Sequence, residues 1–217
     1  MDVFGFFPPV DGVLDLMEFL IANIQGICGD LIPGKSPSIL VSEAQIPGAR
    51  EGMLQPISYF NKEITVTDGH GQSSEMSNVF AFVPDDISRN FAEISDYNNL
   101  LIALWQTAFH EVRHFVQFNL PMRDENFLTE DLIGEIAGLS ASAGNVVKNR
   151  LCGYSHLNSA CRKIEVDAII VEALVVANFL GSFDGGTREF DYSKVKSILL
   201  MSKDQWNAEK LVLSRFT

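Results

Sequence analysis

The stretch Thr107–Phe118, TAFHEVRHFVQF, holds His110 and His114, two of the chain's four histidines, with Glu111 directly after the first. On a helix of about 3.6 residues per turn, a spacing of four stacks two imidazoles on one face. Two such rings can take one tetrahedral zinc ion between them. Glu111 lies one step round the helix. It is too close to be a comfortable third ligand, but it can reach a water bound to the metal. This is the logic of the H-E-x-x-H pattern, which draws two ligands and a general base from a single turn. The chemistry is hydrolysis: zinc lowers the pKa of the water towards about 7, and Glu111 takes the proton as the water attacks a carbonyl. The competing reading is an amphipathic helix whose polar face carries histidines and no metal.

A catalytic zinc site keeps three protein ligands and an open position, and two histidines with one glutamate is a known set. The cysteines, Cys28, Cys152 and Cys161, are an odd number without a CxxC pair. They read as reduced, buried thiols, which disfavours a closed structural site. His70 and His156 are candidate third ligands, although each reads more simply as a loop histidine. The acidic candidates are Glu135 in DLIGEIAG and Glu165 in RKIEVDAII. Both fall on expected helices. Glu165 starts the more apolar helix, where an unpaired carboxylate is costly and a metal bond removes the cost. Tyr154 or His156, in the loop before that helix, can stabilise an oxyanion, or can be a loop aromatic and a solvated histidine. Asp167 can orient a ligand histidine through its second nitrogen, or can face solvent.

These residues need elements to hold them. Leu14, Met17, Ile21 and Ile24 recur at helical spacing, so Val13–Cys28 reads as a helix. Gly29–Pro37 is a Pro/Gly-rich connection. Ser38–Val41 is a short aliphatic strand, ISYFNKEITVTD reads as a hairpin turning at Asn61-Lys62, and NVFAFVP is a further strand closed by Pro84. Asp96–Phe118 is the histidine helix, with Ser95 or Asp96 as N-cap. Ala103 and Thr107 leave room above the metal. Leu101, Leu104, Ala108, Val112 and Phe115 anchor the helix on the sheet, and Arg113 and Gln117 lie elsewhere round it. Thr129 opens a second helix running to about Lys148, Ser159–Leu180 forms a third that crosses the interior, and Tyr192–Val212 a terminal one. Phe6, Phe7, Phe80 and Phe82 read as core. Strands first and helices afterwards give an α+β class in a single domain over residues 1–217: an N-terminal helix and connection (1–37), a small sheet (38–84) and a helical part with the metal site (95–217).

HEVRHFVQ followed by KIEVDA resembles the gluzincin metallopeptidases, in which one helix carries HExxH and a later helix supplies a glutamate. The nearer likeness is to small cytoplasmic minigluzincin-type proteins, whose glutamate helix often reads E-x-[ED]-A. ISYFNKEITV is also similar to their strand pair ahead of the active-site helix. The likeness spans roughly Ser38–Leu180 and is architectural. It implies a zincin fold, with a small twisted sheet, an active-site helix and a glutamate helix. It also implies His110, His114 and Glu165 as zinc ligands and Glu111 as base. Two features depart from the pattern. Ile169 stands where many relatives have Asp or Asn, and the gap between the motifs is long enough to admit the helix holding Glu135.

The rest of the composition bounds the function. A net charge of -12 lacks the basic face that nucleic acid requires. The first basic residue is Lys35, which leaves no basic n-region for a signal peptide, and ALVVANFLG is too short to span a bilayer. These features point to a cytoplasmic protein that does not engage membranes. An acidic surface suits solubility and also basic peptides. The expected function is zinc-dependent hydrolysis of peptide bonds in a peptide or protein substrate lying along the sheet's edge strand. A protein regulator is left open. The alternatives are a zincin-fold metal- or partner-binding protein without turnover, a zinc hydrolase of non-peptide amides, and a helical interaction module that binds no metal.

Overall fold

Ten residues of alternating and β-branched sequence, Ser58–Thr67, run as one unbroken strand rather than a hairpin. In the computed structural model, which describes residues 13–41, 58–67, 70–82, 97–120, 122, 124–139, 141–183 and 192–207, this strand is β2. It follows helix α1 (Val13–Leu31) and strand β1 (Ser38–Val41), and precedes strand β3 (Ser73–Phe82). Asn61 pairs with Val79 and Glu63 with Ser77, so the chain passes straight through the expected turn. A two-residue hairpin turn needs positive φ at its central positions, which Lys62 resists. The reversal comes instead between Thr67 and Ser73, where Gly71 has a φ of 78°.

The chain divides into two compact units, Met1–Phe115 and Val116–Thr217. In the first, the sheet has the order β1-β3-β2, with β1 parallel and β2 antiparallel to the central β3. Val79–Phe82 of β3 are fully buried and pair with β1, while the hairpin end of β3 is exposed. Helix α1 extends past the expected end at Cys28, because Leu31 and Ile32 prolong the buried stripe begun by Leu20, Ile24 and Ile27. It gives way at Gly34, with a φ of 83°. Helix α2 (Tyr97–Asn119) carries the histidines, and its Phe115 ring packs on Phe80 of β3 at 6.3 Å between centroids. Phe80 and Phe82 are core, as expected. Phe6, Phe7, Pro84, Ser95 and Asp96 lie outside the described residues, as do the side chains of Leu14, Met17, Leu101, Ala103 and Leu104.

In the second unit the expected helix from Thr129 to Lys148 is three pieces: a 3-10 turn (Glu130–Leu132), α3 (Ile133–Leu139) and α4 (Ala141–Gly153). Helices α3 and α4 fold onto each other, and Gly144 makes this close approach possible. A Cβ added there would lie 2.6 Å from the Ala137 Cβ and 2.7 Å from its Cα. Gly144→Ala is therefore expected to destabilise by about 1–3 kcal/mol through overpacking, outweighing the gain of about 1 kcal/mol in helix propensity. Gly138→Ala, with nothing within 4 Å of the new methyl, should not destabilise. Thermal unfolding of the two variants side by side checks this, and equal melting temperatures would refute the close-packing account.

Helix α5 (Ser159–Phe183) crosses the interior as expected: Val166–Val175 are all buried. Asn158 caps its start, accepting the Cys161 N–H at 2.9 Å. Its buried Glu172 is paired with Arg150 of α4 at 3.1 Å. Helix α6 (Tyr192–Leu199) ends earlier than expected. A new helical turn at residues 203–207 opens on a reciprocal cap. The Ser202 N–H donates to Gln205 Oε1 at 2.8 Å, and the Gln205 N–H to Ser202 Oγ at 3.2 Å. The motif is legible as SKDQ. Lys203 then bonds Thr129 and Asp131, and hydrogen bonds from Thr129 and Lys203 hold the Asp131 carboxyl below its usual range. No described helix is long and apolar enough to cross a membrane.

Candidate metal centre

Residues 108–117 of helix α2 are buried without exception, and five of them are polar: His110, Glu111, Arg113, His114 and Gln117. Ala108, Phe109, Val112, Phe115 and Val116 supply the apolar contacts that hold the helix there. Burying that much polarity in one helical segment is costly unless each group is satisfied by a partner or an ion.

The two histidine side chains meet at their tips. Nε2 of His110 and Nε2 of His114 are 3.1 Å apart, and the rings stand edge to face at 88°. The contact is within hydrogen-bond reach if one ring donates Nε2–H. It also suits a shared ion, since two nitrogens each about 2.0–2.1 Å from a tetrahedral metal lie about 3.3 Å from one another. Sharing an ion directs both Nε2 lone pairs to one point.

Among the described residues, one group of three metal-ligating side chains converges: His110, His114 and Glu165, whose ligand atoms all lie within 4.8 Å of one another. The histidines are buried and Glu165, in the second turn of α5, is half-buried. This donor set, two imidazoles and one carboxylate with partial access to solvent, can hold a metal ion and leave it a free position. Glu111 is 6 % exposed and adjacent in sequence to His110.

The other candidate ligands lie outside this group. Glu135 is exposed on α3, and its Oε2 accepts the Trp206 indole N–H at 3.0 Å. His70 sits exposed in the β2–β3 turn and His156 exposed between α4 and α5. Tyr154 is half-buried in the same connection, where its carbonyl accepts from Arg162 at 3.2 Å. Glu135, His70 and His156 do not join the converging group of metal-ligating side chains. Cys28 is buried, and burial pushes its thiol pKa up, so it stays protonated at neutral pH. Cys152 and Cys161 are exposed, against the expectation of buried thiols, because they fall on the outer ends of α4 and α5.

Asp167 is fully buried rather than solvent-facing. Its Oδ2 accepts from Gln117 Nε2 at 2.6 Å and its Oδ1 from the Leu128 N–H at 2.8 Å. Gln117 does not lie elsewhere round the helix from the histidines, as expected from sequence. It follows His110 by seven residues, about two turns, and so belongs to the same stripe. That i, i+4, i+7 spacing is the signal that identifies it. No protein-family model, curated protein or solved structure matches the chain.

Proposed function

We propose that this protein is a zinc-dependent peptidase. The observation that carries the reading is the convergence of His110, His114 and Glu165 within 4.8 Å, with Glu111 buried beside the first histidine. The donors suit zinc, which favours nitrogen and carboxylate ligands in a three-residue set. They also suit the gluzincin likeness of the two motifs. When bound, zinc supplies Lewis acidity, which polarises a carbonyl and makes water acidic near neutral pH.

In this reading His110 and His114 present Nε2 to the ion and Glu165 presents a carboxylate oxygen. Glu111 accepts a proton from the attacking water and returns it to the leaving amine. Its burial keeps the carboxylate in a water-poor setting, where a proton-transfer partner is better defined than in bulk solvent. The sheet offers a place for an extended substrate. Strand β2 pairs with β3 on one side and forms the edge of the described sheet. A peptide added along that edge would be bound by main-chain hydrogen bonds largely independent of its sequence.

Protein purified without chelator is expected to contain about one zinc ion per chain by elemental analysis. It should hydrolyse members of a mixed peptide library, lose that activity to a chelator and regain it with zinc. The absence of both native zinc and uptake on addition would exclude the metal reading. Stoichiometric zinc without turnover of any peptide would favour a metal-binding protein over an enzyme.

A further inference from the structure

Helix α2 does not end its part in the site at His114. One turn later Gln117, 7 % exposed, reaches α5 with its side-chain amide. Nε2 donates to the Ile164 carbonyl oxygen at 3.0 Å and to Asp167 Oδ2 at 2.6 Å. Both partners are acceptors, so the NH₂ end of the amide must face them, and the orientation of Gln117 follows from its partners. The bond to Asp167 is short. Asp167 is itself fixed from the other side by the Leu128 N–H at 2.8 Å.

The two points that Gln117 grips bracket Glu165. Ile164 precedes it and Asp167 follows it by two. The last turn of α2 is thereby pinned to the second turn of α5 on both sides of the candidate third ligand. Apolar packing alone would hold two helices together at lower desolvation cost. It would not fix their rotation and register, because apolar contacts are non-directional. A ligand carboxylate needs that precision, since a site loosened by about 1 Å loses its geometry.

The geometry points to Gln117 and Asp167 as positioning residues for Glu165: their buried hydrogen bond locks α5 in the register at which the Glu165 carboxylate meets the His110 and His114 nitrogens. This assignment rests on the metal reading above and deepens it. It also accounts for a polar pair buried where an apolar one would cost less.

The test uses the full chain. Gln117→Met keeps the length of the side chain and removes the hydrogen bonds. Zinc affinity is measured by competition with a chromogenic chelator, and the visible spectrum of the cobalt(II)-loaded protein reports the ligand geometry. Gln117→Met is expected to weaken zinc binding about 10–100-fold, the usual effect of losing an outer partner of a ligand, and to change the cobalt band. In combination with Glu165→Ala it should weaken binding no further than Glu165→Ala alone, because it acts through Glu165. Asp167→Asn provides the same comparison if Gln117→Met fails to fold. The new amide keeps its oxygen for the Leu128 N–H, so its NH₂ would confront that of Gln117. The Gln117 amide would then have to turn and release Ile164.

Unchanged affinity and spectrum in the single variants, or losses that add to that of Glu165→Ala, would overturn the positioning role and leave the metal site standing. Wild-type affinity in Glu165→Ala itself would remove Glu165 as ligand and this role with it. Absence of zinc binding by the wild type would overturn both readings.

Discussion

Glu111→Gln is expected to lower peptide hydrolysis by about 10²–10⁴-fold, the range for loss of a general base, while zinc content stays at the wild-type level. Glutamine is nearly the same size and shape, so the buried segment around residue 111 keeps its packing. It cannot accept a proton, so only the base is lost. Turnover of a peptide found with the wild type, measured beside elemental analysis of both proteins, provides the comparison. Equal turnover in the variant would exclude Glu111 as the base. Loss of zinc together with activity would assign Glu111 to the metal centre instead. The contrast with His114→Ala is informative, since that variant should lose both metal and activity.

The converging group of His110, His114 and Glu165 is more legible in the sequence than its scaffold. The histidine pair needs only the helical period, and the Ala108–Phe115 pattern demands a helix. Glu165 is legible because a carboxylate at the head of an apolar helix requires a partner. The strand at Ser58–Thr67 reads as a hairpin because Asn61-Lys62 resembles a turn in composition, whereas the true reversal depends on Gly71 and on pairing with residues far along the chain. Local propensity does not contain that pairing.

The break between α3 and α4 is hidden for a related reason. DLIGEIAGLSASAGNVVKNR carries no proline and reads as one helix, with small residues throughout. Its two halves instead pack closely where Gly144 meets Ala137, a contact that only the folded chain reveals. Asp167 is separable from a solvent-facing residue only once Gln117 is seen to be its partner. A polar residue with no visible partner in sequence reads as surface, and the partner here is 50 residues away.

The choice between the two acidic candidates yields the other large effect. Glu165→Ala should weaken zinc binding by at least about 100-fold, since even the loss of an outer partner typically costs 10–100-fold. Two histidines remain, so binding is weakened rather than abolished. An ion that binds only the folded state adds about 2.7 kcal/mol at 100 times its Kd. A 100-fold loss of affinity therefore removes most of the melting-temperature rise that zinc produces. Glu135→Ala should behave in the opposite way. Its carboxylate accepts the N–H of Trp206, a residue with no exposed surface, so the variant deprives a buried donor of that partner. The cost, about 1–3 kcal/mol, falls on the metal-free protein and leaves zinc affinity unchanged. Chelator competition and thermal unfolding, each run with and without zinc on both variants, separate the two patterns. A large loss of affinity in Glu135→Ala with Glu165→Ala unchanged would transfer the third ligand to α3. The metal centre would then require α3 to approach the histidine helix, at the expense of the Trp206 bond that now holds Glu135.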